Sequence, residues 1–133
     1  MAKFNLEIVT PQRIALNEEV EIVTAPGADG EFGVLRDHTL VISVLKPGVV
    51  TCETSSGTLT LAVGSGYAEV YPEKTMLLVD SAELSTEIDS EEAASTLREA
   101  EEKLSGVSDD AHDYKKLLIS KEHAEARVEA AGN

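Results

Sequence analysis

Aromatic residues are scarce in this 133-residue chain: they make up 4% of it, and tryptophan is absent. Large rings cannot dominate the interior, so Val, Leu, Ile and Ala must fill it. Cysteine occurs once. A lone Cys52 excludes an internal disulfide and any cysteine-rich zinc site, and fits a reducing compartment. Flanked by Thr51 and Glu53 in a strand-like segment, it reads as an inert small hydrophobe. Basic residues are few: 11 Lys and Arg stand against 25 acids, a formal net charge of −14. Residues 1–86 hold 12 acids and 5 bases, and residues 87–133 hold 13 and 6, so each part carries −7 and the acidity is no localised tail. That balance argues against nucleic-acid backbones, which need clustered Lys and Arg to release counterions. It also disfavours adsorption to anionic lipid. No apolar run approaches the roughly 18 residues that span a bilayer. Met1-Ala2-Lys3-Phe4 lacks both the apolar run of a signal peptide and the Arg/Ser-rich look of a transit peptide. Any membrane association is expected through a partner.

What is present falls into two patterns. Phe4–Ile8 alternates apolar and polar residues, as a half-buried strand does. Further strands are expected at Val20–Val23, Phe32–Leu35, Leu40–Leu45, Val49–Glu53, Thr58–Val63, Tyr67–Tyr71 and Met76–Val79. Turn signals at Pro26-Gly27, Asp29-Gly30, Lys46-Pro47-Gly48, Ser55-Ser56-Gly57 and Pro72-Glu73-Lys74 separate them. Many short strands without intervening helical patterns favour an antiparallel sandwich or barrel over a βαβ fold. Near residue 88 the period changes. Asp89-Ser90-Glu91-Glu92 has capping-box spacing, with Asp89 accepting backbone N–H bonds and Glu92 reaching back. Ala93, Leu97, Ala100 and Leu104 recur at helical spacing and Gly106 ends the run. Ser108 with Asp109 and Asp110 is expected to open a second helix, whose apolar side is Tyr114, Leu118, Ala124, Val128 and Ala131. Proline is absent from residues 87–133. The expected fold is α+β, mainly β: an antiparallel β-sandwich at 1–86 followed by an antiparallel helical hairpin at 87–133. The hairpin's apolar stripe is narrow and rich in alanine, so it must lie against something.

The sequence offers little catalytic chemistry. There is no phosphate-loop motif, and Gly64-Ser65-Gly66-Tyr67-Ala68-Glu69 has Glu where a dinucleotide fingerprint needs its third Gly. A glycine-permitted turn or bulge is the better account. His38, His112 and His123 are far apart, with His112 and His123 expected on the exposed side of the second helix. Asp80, Ser81 and His38 could be imagined as a hydrolase triad, but no G-x-S-x-G elbow supports the serine. Lys116, His123 and Arg127, spaced seven and four apart, share a helix face, and Lys121 falls near the middle of the apolar one. An ordinary solvated surface and a partner-facing stripe are both open readings.

Ala25-Pro26-Gly27-Ala28-Asp29-Gly30-Glu31-Phe32-Gly33-Val34-Leu35, His38 and Leu45-Lys46-Pro47-Gly48-Val49 together resemble the epsilon subunit of rotary F-type ATP synthases. The likeness continues through Gly64–Val70, Val79-Asp80-Ser81-Ala82-Glu83 and Ile88-Asp89. Arg36-Asp37 stands where Pro-Gly is usual, and Leu40 where Pro is common. The resemblance implies a non-catalytic rotor subunit that binds the gamma subunit and the c-ring, couples rotation and regulates ATP hydrolysis. It further implies a peripheral position on the cytoplasmic face of a bacterial inner membrane, with a plastid thylakoid as the lesser alternative. Asp29–His38 matches the ring-facing region, which makes Glu31 and His38 interface candidates, with Gly30 and Gly33 allowing a turn or close approach. The family's hairpin folds against the sandwich or extends along gamma toward the alpha and beta subunits, where Lys116, Lys121 and Arg127 would meet the partner. Some members bind ATP through Ile or Leu, Asp, two variable residues and Arg-Ala. Here Ile88-Asp89-Ser90-Glu91-Glu92-Ala93 has Glu92 for the arginine, so weak or absent ATP binding is expected. No cofactor is expected. The alternatives are a free-standing β-sandwich ligand-binding module and a small hydrolase using His38 with an acid.

Overall fold

Alternation decides the first strand. In β1 (Phe4–Val9), Phe4, Leu6 and Ile8 are buried while Asn5, Glu7 and Val9 face outward. The computed structural model describes residues 2–36 and 40–132. Nine more strands follow among the described residues: β2 (Ile14–Val20), β3 (Ile22–Gly27), β4 (Gly30–Val34), β5 (Val41–Leu45), β6 (Gly48–Thr54), β7 (Gly57–Val63), β8 (Gly66–Tyr71), β9 (Lys74–Val79) and β10 (Ala82–Leu84). A 3-10 turn at Ser85–Glu87 leads into α1 (Ser90–Ser105) and α2 (Tyr114–Ala131).

The strands run in the order β10-β7-β6-β3-β5-β8-β9-β1-β2, with β4 paired to β3. β3 joins the two layers, meeting β6 through Ile22–Thr24 and β5 through Gly27 opposite Leu45. Between the layers lies one aliphatic core of Leu6, Ile8, Val20, Val23, Val50, Leu61, Val63, Val70, Leu77 and their neighbours. Cys52 is 1% exposed within it, and burial pushes its thiol up to about 11, so it is the inert hydrophobe expected.

Several details differ from the sequence expectations, among them the short β10, which no expected strand covered. β2 was not foreseen, because Glu18 occupies the inward register position between Leu16 and Val20 and hides the alternation. An inward-register charge on an edge strand discourages edge-to-edge pairing. The sheet also contains one parallel pair, β1 with β9. Finally, α2 starts at Tyr114 and not at Ser108. Ser108 instead bonds Asp110 through its hydroxyl, and successive Ala111 N–H to Ser108 O and Tyr114 N–H to Ala111 O bonds make tight turns that delay the helix.

The hairpin packs α2 on the outer face of β6 and β7, with α1 against α2. Glu92 near the start of α1 meets Arg127 near the end of α2, so the helices are antiparallel. The fully buried helical residues are Ala93, Ala124, Ala126 and Ala130. Leu97 and Leu104 of α1 are only half-buried, and of the apolar side expected for α2 Ala124 is buried while Tyr114, Leu118, Val128 and Ala131 are half-buried. Ala126 and Ala130 touch Ala62, with Val49 and Ile88 alongside. Alanine wins these positions because a methyl lets the helix backbone approach the sheet closely.

Thr75, wholly buried on β9 between Leu6 and Val70, has a hydroxyl with no hydrogen-bond partner among the described residues. An unpaired buried polar group costs roughly 1–3 kcal/mol. Thr75→Val keeps the shape and removes the hydroxyl, so urea unfolding should show a gain of about 1 kcal/mol.

Candidate functional site

The two outer sheet faces are treated differently. α2 covers β6 and β7, while the outer face of β5-β8-β9-β1-β2 has no element of the described chain packed on it. Strand register builds an apolar row across that uncovered face: Val44 lies opposite Tyr67, Tyr67 opposite Leu78, Leu78 beside Val9, and Val9 opposite Ile14. The next row holds Ile42, Glu69, Met76 and Glu7. Ile42 is 72% exposed, Val44 65% and Ile14 61%, with Tyr67 and Tyr71 also open. Apolar patches of this kind mark interaction surfaces. A signal for it stood in the sequence: Leu40-Val41-Ile42-Ser43-Val44-Leu45 and Met76-Leu77-Leu78-Val79 are near-continuous apolar runs, as strands covered on both faces are.

At one end this face runs into a groove of about 700 Å³ lined by Gly27–Phe32 and Ile42–Val44. Here β3 and β4 form a hairpin with Ala28-Asp29 at its tip, and Gly30 takes φ +135, a conformation L residues with side chains rarely adopt. Glu31 is exposed beside it. Gly33 does not need to be glycine, since a Cβ there meets only ordinary contacts at 3.8 Å. The close approach in this hairpin is at Gly27, where a Cβ would fall 2.6 Å from the Gly30 carbonyl oxygen. His38 lies outside the described residues.

The third region is the seam between α2 and the sandwich. His123 was expected on an exposed helix side. It is instead half-buried against the β9–β10 connection, its Nε2 hydrogen-bonded to Ser81 Oγ at 3.2 Å. Burial holds this imidazole below its ordinary pKa, against the opposing pull of Glu83 and Asp80. His112 is exposed, but in the turn before α2. Four residues after His123, Arg127 donates from Nε to Glu83 Oε1 on β10 at 2.7 Å, and from Nη2 to Glu92 Oε1 on α1 at 2.7 Å. Its side chain is 12% exposed. Asp89 caps α1 by accepting the N–H groups of Glu91 and Glu92. Glu92 does not reach back in a capping box; its carboxylate takes Arg127 and the Thr96 hydroxyl, which hold it below the usual carboxylate range. Lys121 lies 3.9 Å from Glu125, and Lys116 is exposed. Thus the structure brings His123 and Arg127 to the sandwich but leaves Lys116 outside. The missed partners were Glu83 and Ser81, 44 and 42 residues away in sequence.

Among the described residues no cluster of His, Cys, Asp and Glu can hold a metal, and no helix is long and apolar enough to cross a membrane. Asp80 and Ser81 adjoin His123, yet no nucleophile elbow surrounds Ser81.

Comparison with known proteins agrees with this architecture. The sequence model of the ATP synthase Delta/Epsilon chain beta-sandwich domain matches residues 3–85. The ATP synthase epsilon chain of Natranaerobius thermophilus is 41% identical over 97% of this chain and 92% of its own length. That of Geobacter sulfurreducens is 39% identical over 98% of this chain and 94% of its own length. Among solved structures, a chain of the Euglena gracilis mitochondrial ATP synthase OSCP/F1/c-ring assembly superposes with TM-score 0.81 at 28% identity, covering all of this chain and 83% of that one. A chain of the Tetrahymena thermophila central stalk/c-ring shares the fold, with TM-score 0.59 at 15% identity over 97% of this chain and 93% of that one.

Proposed function

Because the chain belongs to the ATP synthase delta/epsilon family as an epsilon-type stalk subunit, we propose that its uncovered apolar sheet face docks the gamma subunit in the rotor of an F-type ATP synthase. The observation that carries this reading is the row Val44, Tyr67, Leu78, Val9 and Ile14, aligned by register and left open while the opposite face is covered by the chain's own helix. An open, mainly aliphatic surface with two tyrosines suits a permanent subunit contact.

In this reading the β3–β4 tip, with Gly30, Glu31 and Gly33, faces the c-ring. Residues 1–86 form the fixed rotor clamp and residues 87–133 the regulatory arm. When that arm extends toward the alpha and beta subunits, Lys116, Lys121 and Arg127 turn to those partners, and ATP hydrolysis is restrained there. The catalytic sites belong to those other chains. Membrane association, at the cytoplasmic face, comes through partner subunits. ATP is no ligand of the arm, since the Arg127 guanidinium is already met by two carboxylates.

The test uses the assembled complex. Mixing the purified chain with the gamma subunit should give a one-to-one species in native mass spectrometry, and Glu31→Cys should crosslink to the c-ring loop once the ring is added. No complex with gamma would remove the docking reading. A complex without any crosslink, despite labelling of the cysteine, would take Glu31 out of the ring contact alone.

A further inference from the structure

The hairpin's hold on the sandwich has two parts of unequal character. The apolar part is small: Ala126 and Ala130 against Ala62, edged by Val49 and Ile88. Methyl groups bury little area, and hydrophobic stabilisation scales with area. The polar part is concentrated on one edge of α2, where His123 meets Ser81 and Arg127 meets Glu83 and Glu92. We infer that Arg127 is the latch of the hairpin: its guanidinium, clamped between Glu83 on the sandwich and Glu92 on α1, sets how often the two helices leave the sheet.

The geometry supports a latch more than an ordinary surface pair. Each carboxylate receives two nitrogens of the guanidinium: Glu83 takes Nε at 2.7 Å and Nη2 at 3.4 Å, and Glu92 takes Nη2 at 2.7 Å and Nη1 at 3.2 Å. The planar fork of arginine makes that double engagement possible, which a lysine cannot copy. The three residues come from three elements, β10, α1 and α2, so one side chain ties both helices together and both to the sheet. The cation is also the minority charge. Without it Glu83 and Glu92 would face each other across the seam with Asp80 nearby, and their repulsion would add to the lost bonds. Glu92 is half-exposed, so salt reaches the clamp and screens it. A comparable fork, Arg13 on Glu87 with a further bond to Ala82 O, fastens the 3-10 turn to the β1–β2 connection. It anchors the root of the hairpin, so motion is expected beyond Ile88.

This inference concerns the chain by itself and does not depend on the stalk reading. Hydrogen exchange on the full chain, followed by mass spectrometry, tests it. Arg127→Gln should speed exchange across residues 90–131 about tenfold, the loss of roughly one charge-assisted hydrogen-bonded contact, with the strands unchanged. Arg127→Lys should fall between wild type and Gln. High salt should speed hairpin exchange in wild type but not in Arg127→Gln. Three results would overturn the latch: an unchanged profile in Arg127→Gln, a rise spread equally over strands and helices, or a wild-type hairpin already exchanging at unprotected rates.

Discussion

Gly66→Ala is expected to destabilise the chain by about 3 kcal/mol or more, beyond what most core overpacking produces. A Cβ built on Gly66 falls 2.0 Å from the Leu78 carbonyl oxygen and 2.7 Å from Val79 Cα. Both are backbone atoms of β9, so no rotamer change can relieve the overlap. β8 and β9 would have to part where Gly66 pairs with Val79, and the same residue pairs with Leu45 of β5 on its other side. Two ladders are therefore disturbed by one methyl. Gly33→Ala is the control: its Cβ meets nothing closer than 3.8 Å, and its expected change is within about 0.5 kcal/mol. Urea unfolding of both variants decides between a glycine demanded by backbone approach and a merely tolerated one. A Gly66→Ala protein within 1 kcal/mol of wild type would show that the strands can slide apart more cheaply than this packing implies. The same geometry explains Gly64-Ser65-Gly66 without a nucleotide.

The second large effect belongs to the uncovered face. If that face docks gamma as proposed, Ile42→Glu with Val44→Glu should weaken the binding about 100-fold or more, because two carboxylates would have to be desolvated in an apolar contact. The stability of the isolated chain should change little. Both side chains project outward from β5, at 72% and 65% exposure, so nothing in the core depends on them. Strand propensity alone accounts for a change within about 1 kcal/mol. Calorimetric titration of gamma into the double variant, beside its urea unfolding curve, separates the two consequences. Wild-type affinity in a stably folded variant would remove this face from the proposed gamma contact. Loss of fold together with binding would mean that β5 relies on its outer face for more than contact.

Local chemistry settled much of this protein from sequence. Alternation at Phe4–Ile8, the Ser55-Ser56 loop with Gly57 at φ +121, and Asp89 as the cap of α1 each depend on neighbours within a few residues. Those positions were readable because backbone dihedral preference and short-range hydrogen bonding act there. The family likeness was readable too, since it rests on ordered local segments. The β2 strand was not, because Glu18 breaks the pattern and only pairing with β1 restores it. Nor was the parallel β1–β9 pair, whose members lie about seventy residues apart and meet only when the layers close. At the candidate sites the division is the same. The apolar run Leu40–Leu45 was read only as a strand, and which of its faces stayed bare depended on where α2 came to rest. Arg127 was visible as a cation on a helix; its carboxylates, from β10 and α1, were assigned by tertiary packing. Alternation and turns are decided between neighbours in the chain, whereas the partner of a long side chain is decided by which surfaces exclude water together, and no local pattern encodes that.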